Sequence, residues 1–469
     1  MTDLDCDVAI IGAGTAGLAA ERRARADGAS TILIDDRFAG TTCATVGCMP
    51  SKLLIAAAHA AHAVRAAGVF GIDAQSPEIN GAAVMARVRK ERDGFVTATI
   101  RSIADIPDGI RQRARATFAD ATTLVLDDGR RVTAKAIVIA TGSRPSIPPM
   151  FEALGDRVLT NETIFDLPEL PGSVAVVGAG ALGLELAQAL VRLGVEAQVF
   201  DQGDRTAGLR DDDVATEYRA ILERELPIHL GVALEAGMNG AQVGLSWSGA
   251  SEGRSSFDYV LVAAGRPPSL AGLGLDTTGI ALDEHGTPLF DPDTMQCGSS
   301  NIFIAGDADG ERAILHEASS EGAIAGRNAA SFPMVEPGKR STAFSITFTD
   351  PPVAVVGRPA DHASVIGCAS YVDQGRAKVE ARNAGLVRIY AARPDGRLTG
   401  AVMAAPGMDH IGHLLAWAIT RGETATTLLD LPFYHPMFEE GLKPALRSIC
   451  AEVHAALPRD RDEGNAAGS

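Results

Sequence analysis

Hydrophobic and polar positions along the chain fall into a figure that occurs twice. An unbroken apolar run, Val8-Ala9-Ile10-Ile11, ends in Gly12-Ala13-Gly14-Thr15-Ala16-Gly17, and the figure returns at Val174-Ala175-Val176-Val177 before Gly178-Ala179-Gly180-Ala181-Leu182-Gly183. Short apolar runs without alternation mark strands buried on both faces, as in a parallel sheet. Each glycine turn leads into an Ala/Leu-rich stretch, which predicts helices over 15–27 and 181–193, followed by short strands over 31–34 and 197–200. Each set is one βαβ unit. A second echo pairs Ile137 to Pro145 with Val260 to Pro268, each an apolar strand leading into a glycine, arginine and proline turn. The chain therefore reads as two related nucleotide domains. From about residue 342 the pattern changes to strands at Phe344 to Thr347, Val353 to Val356 and Val387 to Tyr390, with helices near 409–420 and 439–456. That predicts a third, α+β domain, and the charged, small-residue end at 458–469 is expected to fray.

The glycine turns carry the first candidate chemistry. Glycine is needed where the backbone bends tightly and where main-chain N–H groups must approach a pyrophosphate, whose charge the helix N-terminus then stabilises. Asp35 follows Gly14 by 21 residues, and Asp201 follows Gly180 by the same number. Either acid can accept hydrogen bonds from a ribose diol, against the alternative of a solvated turn carboxylate. At the second site a carboxylate repels a 2′-phosphate and so favours NAD over NADP. Arg205, four residues on, could soften that preference or simply pair with Asp201 or Asp204.

Composition limits the remaining choices. Hydrophobic residues make up 46% and charged residues 22% of 469, as in ordinary globular proteins. With 42 basic against 59 acidic residues the net charge is −17, which excludes broad contact with nucleic acid or an anionic membrane. The acidic start, Met1-Thr2-Asp3-Leu4-Asp5, is unlike a signal peptide, and a cytoplasmic location is expected. Six scattered cysteines are too few for a secreted scaffold, so any disulfide is expected to be catalytic. No metal ligands are assigned.

The segment Thr41-Thr42-Cys43-Ala44-Thr45-Val46-Gly47-Cys48-Met49-Pro50-Ser51-Lys52 is the most informative in the chain. On an ideal helix, Cα atoms five residues apart lie roughly 8–9 Å from one another, beyond disulfide reach. If the two thiols act together the backbone must distort here, and Gly47 and Pro50 supply the means. A helix N-terminus and Lys52 favour a thiolate, the species that exchange chemistry requires. The alternative is a pair of small, inert hydrophobic cysteines.

These features resemble the class I pyridine nucleotide–disulfide oxidoreductase family. The resemblance rests on the N-terminal glycine loop, on Thr42-Cys43 through Gly47-Cys48 to Pro50-Ser51-Lys52, and on Ala140-Thr141-Gly142-Ser143-Arg144-Pro145. Gly178 to Glu185, Gly265-Arg266-Pro267, Ala305-Gly306-Asp307, His316-Glu317-Ala318, Phe348-Thr349-Asp350-Pro351 and His435-Pro436 with Glu440 are most similar to its dihydrolipoamide dehydrogenase branch. The likeness spans about residues 5–455.

The resemblance implies an α/β fold with two Rossmann-like domains, for FAD and NAD, and a C-terminal α+β dimerisation domain. Residues 1–150 with 273–341 would form the FAD domain, 151–272 the NAD domain, 342–457 the interface of a homodimer, and 458–469 a flexible tail. Gly12, Gly14 and Gly17 would hold the FAD pyrophosphate, Asp35 the adenosine ribose, and Asp307 the ribityl chain or a phosphate. Thr42, Thr141, Gly142 and Lys52 are further cofactor positions, as are Gly178, Gly180, Gly183, Asp201 and Gly265. Lys52 and Glu185 match the ion pair beside the isoalloxazine. Cys48 would face the flavin, and Cys43 would exchange with substrate. His435, in a proline-bracketed loop with Glu440 five residues on, matches the base that serves the other subunit; taken alone, the pattern would more often be a surface histidine.

The expected activity is therefore oxidation of dihydrolipoyl groups, possibly borne on a protein, with NAD. Three departures stand out: Thr41 replaces a second glycine, Ala44 and Thr45 replace an apolar residue and asparagine, and Met437-Phe438-Glu439 replaces a Thr-Leu-Ser-like run. The last leaves the substrate open. The rivals are an NAD(P)H-dependent reductase of another small disulfide and a flavin-bound redox sensor. A likeness to mercuric reductases is weaker, because no cysteine pair follows Cys450.

Overall fold

The computed structural model describes residues 3–458, so the predicted tail lies outside the described residues apart from Pro458. The apolar runs become central strands of two sheets, the second parallel and the first parallel except for two antiparallel strands, Ala116–Asp120 and Thr123–Leu126, at one edge. In the first, Leu4–Ile11 lies between Thr31–Asp35 and Arg131–Ile139, with Val8 opposite Thr31 and Ala136. The strand Ile302–Ile304 returns from far along the chain to pair with Arg131–Ile139, Ile302 opposite Ile137. Val8, Ala9 and Ile10 are fully buried, which is why this strand shows no alternation. Helix Thr15–Ala26 packs against helix Leu315–Ser331 at very close range. A Cβ on Gly322 would stand 2.1 Å from the Ala16 carbonyl oxygen, and one on Gly326 would stand 2.3 Å from that of Ala20.

The second sheet runs in the order Ile228–His229, Glu196–Phe200, Ser173–Val177, Tyr259–Val262, Val158–Leu159. A three-stranded antiparallel sheet, Val232–Asn239, Gln242–Gly249 and Gly253–Phe257, lies beside it. The hydrophobic pattern does not reveal these three strands, since one face carries Glu235, Gly237, Gly244 and Ser246 and the deeply buried residues, Val232, Val243, Leu245 and Phe257, are scattered. The long helix Gly81–Ala104 is equally silent, with Met85, Val88 and Ile103 as its buried residues.

In the C-terminal region five antiparallel strands include the three expected ones, found as Phe344–Thr347, Val353–Gly357 and Leu386–Ala392. Helix Met408–Arg421 covers one face. The helix expected over 439–456 begins instead as a 3₁₀ turn, Phe438–Leu442, and becomes α-helical only over Lys443–Glu452. Pro444 has no N–H to give, so it belongs in a first turn.

Among the described residues one helical run, Thr42–Phe70, is long and apolar enough to cross a membrane by length and composition. Leu54, Ile55, Ala58 and Ala61 on it are buried within the protein, as in a core helix.

Candidate active site

Two short elements create the thiol site. Thr42–Thr45 forms one helical turn, Val46 and Gly47 break it, and a new helix runs over Cys48–Ala66. A Cβ on Gly47 would lie 2.9 Å from the Thr42 carbonyl oxygen and 3.3 Å from the Cys43 Cα, so glycine allows this fold-back. Thr41 causes no strain where a glycine is usual, because its backbone is extended and its carbonyl accepts from the Thr45 hydroxyl at 2.9 Å. Gly40, at φ +95°, takes the left-handed position instead.

Cys43 and Cys48 are free thiols that hydrogen-bond to each other. Cys48 stands at the first position of its helix. The hydrogen bond from Cys43 lowers the Cys48 pKa to about 6, against its partial burial and with help from Lys52. The same hydrogen bond, with burial, pushes Cys43 up. Lys52 Nζ lies 2.7 Å from Glu185 Oε2 and 4.4 Å from the centre of the Phe348 ring. The other Glu185 oxygen accepts from the Phe348 N–H at 2.8 Å. A residue from each of three regions of the chain thus meets beside the thiols.

At the first glycine loop, a Cβ on Gly12 would sit 2.3 Å from the Ala140 carbonyl oxygen, and one on Gly17 would sit 1.8 Å from that of Gly12. Gly14, at the N-terminus of its helix, faces open space. Asp35 accepts from the N–H of Ala13 at 2.9 Å and so closes the loop. The Thr141 hydroxyl is buried without a hydrogen-bond partner among the described residues, and Gly142 beside it has φ +68°. An open glycine turn at a helix N-terminus with an orphaned buried hydroxyl fits a dinucleotide such as FAD. Asp307 accepts from the Ser143 hydroxyl at 2.7 Å.

The second loop repeats the first: a Cβ on Gly178 would be 2.4 Å from the Ala263 carbonyl oxygen, and one on Gly183 2.0 Å from that of Gly178. Gly180 is open, Asp201 accepts from the N–H of Ala179 at 2.6 Å, and Gly265 has φ +127°. Arg205 pairs with Asp212 at 3.0 Å and with Asp204 at 3.8 Å.

The two echoed turns also face each other. Arg266 donates to the Ser143 carbonyl at 2.9 Å and to Asn161 at 2.8 Å, and Asn161 donates to the Val46 carbonyl in the cysteine loop at 2.9 Å. Sequence reasoning quoted Arg266 and Ser143 without a role and missed Asn161; the echo of the two turns was the signal. It also missed Asp309 and Glu321 and quoted Glu317 without a role; all three are buried around the Gly306-Asp307 turn. Glu321 accepts from the Gly306 N–H at 2.9 Å and pairs with Arg340. Burial raises Asp309 to about 6 and Glu321 to about 7.

His435 Nδ1 lies 2.9 Å from Glu440 Oε2, and Lys443 Nζ lies 3.2 Å from Oε1. The hydrogen bonds to His435 and Lys443 hold the Glu440 pKa down although burial opposes them. Among the described residues of one chain, no hydrogen bond or ion pair joins His435 or Glu440 to the thiols.

Residues 6–322 match the family pattern described as pyridine nucleotide-disulphide oxidoreductase, and residues 343–446 match its dimerisation domain. The chain belongs to this family. Its members use FAD and NAD(H), and the second match supports a homodimer. A dihydrolipoyl dehydrogenase of Bacillus subtilis is 30% identical, covering 96% of this chain and all of its own. Dihydrolipoyl dehydrogenase 2 of Haloarcula marismortui is 30% identical over 95% of this chain and 97% of its own. A mercuric reductase of Shigella flexneri is also 30% identical, over 95% of this chain and 81% of its own. Among solved structures, LpdA from Mycobacterium tuberculosis has a TM-score of 0.79 at 25% identity, covering 95% of this chain and 99% of its own. The HOCl-induced flavoprotein disulfide reductase RclA from Escherichia coli, at 22% identity and a TM-score of 0.79 over 94% and 99%, shares the fold. The protein is a flavoprotein disulfide oxidoreductase.

Proposed function

We propose that this enzyme is a dihydrolipoyl dehydrogenase, oxidising a dithiol through Cys43 and Cys48 with NAD as the final acceptor. The observation that carries the reading is the unequal thiol pair: one sulfur held towards its thiolate, its neighbour towards its thiol, beside the Lys52–Glu185 pair. Bound FAD supplies the redox chemistry between dithiol and nicotinamide. The chain's residues supply the rest.

Starting from a Cys43–Cys48 disulfide, a substrate thiolate attacks Cys43, forming a mixed disulfide and releasing Cys48 as thiolate. The second substrate thiol gives its proton to His435 and attacks the substrate sulfur of that mixed disulfide, closing the substrate disulfide and expelling Cys43. Two electrons reach the cysteine pair. Lys52 favours the Cys48 thiolate, and Glu440 orients the His435 ring through Nδ1. The dimerisation-domain match, which contains His435 and Glu440, supports action on the partner's pair. Asp201 keeps its carboxylate on backbone N–H groups of Ala179 and Gly203, which supports NAD over NADP. The protein is assigned to the cytoplasm, in keeping with its cysteine usage.

A second reading, reduction of another small disulfide by NADH, is favoured by one observation: Met437 and Phe438 stand beside the base where smaller residues are usual. Steady-state turnover of dihydrolipoamide and a panel of other dithiols and disulfides, with NAD and NADP in both directions, decides between them. The highest kcat/KM is expected for dihydrolipoamide with NAD. A higher value for another disulfide would overturn the first reading.

A further inference from the structure

Glu440 is buried, but His435 lies in an exposed stretch. Leu431 and Tyr434 are 54% and 82% exposed, and the His435 side chain is 46% exposed. Something must hold such a loop if it is to present a base in one position, since a misplaced catalytic group loses most of its value. Two buried side chains from the loop after strand Val365–Ser370 do so. Tyr371, fully buried, donates its hydroxyl to the Phe438 carbonyl at 2.8 Å. Gln374, 6% exposed, donates Nε2 to the Met437 carbonyl at 2.8 Å. The amide of Gln374 has a defined orientation, because its oxygen accepts from the Ala377 N–H at 2.7 Å and caps the next short helix.

The clamp reaches both sides of Glu440. Ahead of it, consecutive carbonyls are held. Behind it, the Tyr371 ring fills the space over Gly441, where a Cβ would come 2.5 Å from Tyr371 Cζ. The Phe438 ring in turn occupies the space above Gly407, 2.9 Å from where a Cβ would be. The segment Met437-Phe438-Glu439, which departs from the family pattern, is thus seated by groups outside it.

We propose that Tyr371 and Gln374 are positioning residues for the base: they fix the Met437 and Phe438 carbonyls so that Glu440 meets His435 Nδ1. The proposal rests on the reading of His435 as the base. Both residues act through the loop.

Tyr371→Phe removes one hydroxyl and leaves the ring. It is expected to lower kcat for dihydrolipoamide oxidation by about 10- to 100-fold, with KM within about twofold and flavin reduction by NADH unchanged. Gln374→Glu keeps the helix cap but turns an oxygen on the Met437 carbonyl, and should lower kcat at least as far. In a His435→Gln background, Tyr371→Phe should cost nothing more, because the group it positions is gone. A merely structural role would add its loss there and would depress NADH reduction as well, and either result overturns the proposal. So would full kcat in both single variants while His435→Gln is impaired. Should His435→Gln itself keep full dithiol turnover, the base reading falls, and the clamp with it.

Discussion

The two glycine loops share one backbone design, yet their helices do opposite work. The position two residues after the last glycine is Ala19 in the first and Glu185 in the second. The first helix buries Ala16, Ala20 and Ala24 against helix Leu315–Ser331, and its one buried charge, Glu21, pairs with Arg25 on the same helix. The second helix buries Glu185, Gln188 and Arg192. Glu185 meets Lys52 and the Phe348 N–H, Gln188 donates to the Asp350 carbonyl at 2.8 Å, and Arg192 pairs with Asp350 at 3.0 Å and Glu225 at 2.8 Å. One copy closes a cofactor domain; the other joins the thiol helix to the C-terminal region. A duplicated fold diverges in its helix face while its turn stays the same.

Alanine at the first glycine of each loop, where φ is also positive, breaks the comparison most severely. With φ +104° and +115° and a carbonyl in the way, Gly12→Ala and Gly178→Ala each strain the turn by about 1–3 kcal/mol or more. Gly12→Ala should be isolated without flavin, by its absorbance ratio. Gly178→Ala should stay yellow but be reduced slowly by NADH, and the reverse pattern would exchange the two loops. Next in size, His435→Gln should lower dithiol turnover about 10²–10⁴-fold while flavin content and NADH reduction hold.

The hub on the second helix predicts an acid-labile joint. Burial alone would raise Asp350, but Arg382 and Arg192 together hold it near 2. A carboxylate whose folded pKa lies below its unfolded value stabilises fully above about pH 4, and that stability is lost as pH falls towards 2, here roughly 2 kcal/mol. Thermal unfolding of Asp350→Asn should therefore show a lower Tm than wild type at pH 6 and a smaller difference near pH 2. The smallest effect is at Lys52: without its charge the Cys48 thiolate should titrate about one unit or more higher. Lys52→Met should show this as an upward shift in the pH at which thiolate absorbance appears.

Much of this was legible in the sequence, because glycine turns, apolar strands and the cysteine segment are local signals. Strand boundaries at 31–35 and 196–200 come out within a residue or so, since burial on both faces leaves no polar position to blur them. The strands of 232–257 escaped because a half-exposed ribbon rich in glycine and serine has neither run nor clean alternation. Asn161, Arg266 and Tyr371 escaped for another reason: each acts on a carbonyl or side chain more than 60 residues away in sequence. Only the fold brings such partners together.

The central claim is that Cys48 is held as thiolate towards the flavin while Cys43 exchanges with substrate. Visible absorption of Cys43→Ser and Cys48→Ser, each purified with its flavin, tests it directly. Cys43→Ser should show a long-wavelength thiolate-to-flavin band without added reductant, and this band should fade on acidification as the Cys48 thiolate takes up a proton. Cys48→Ser should show no such band at any pH. The band in Cys48→Ser and its absence in Cys43→Ser would contradict the assignment.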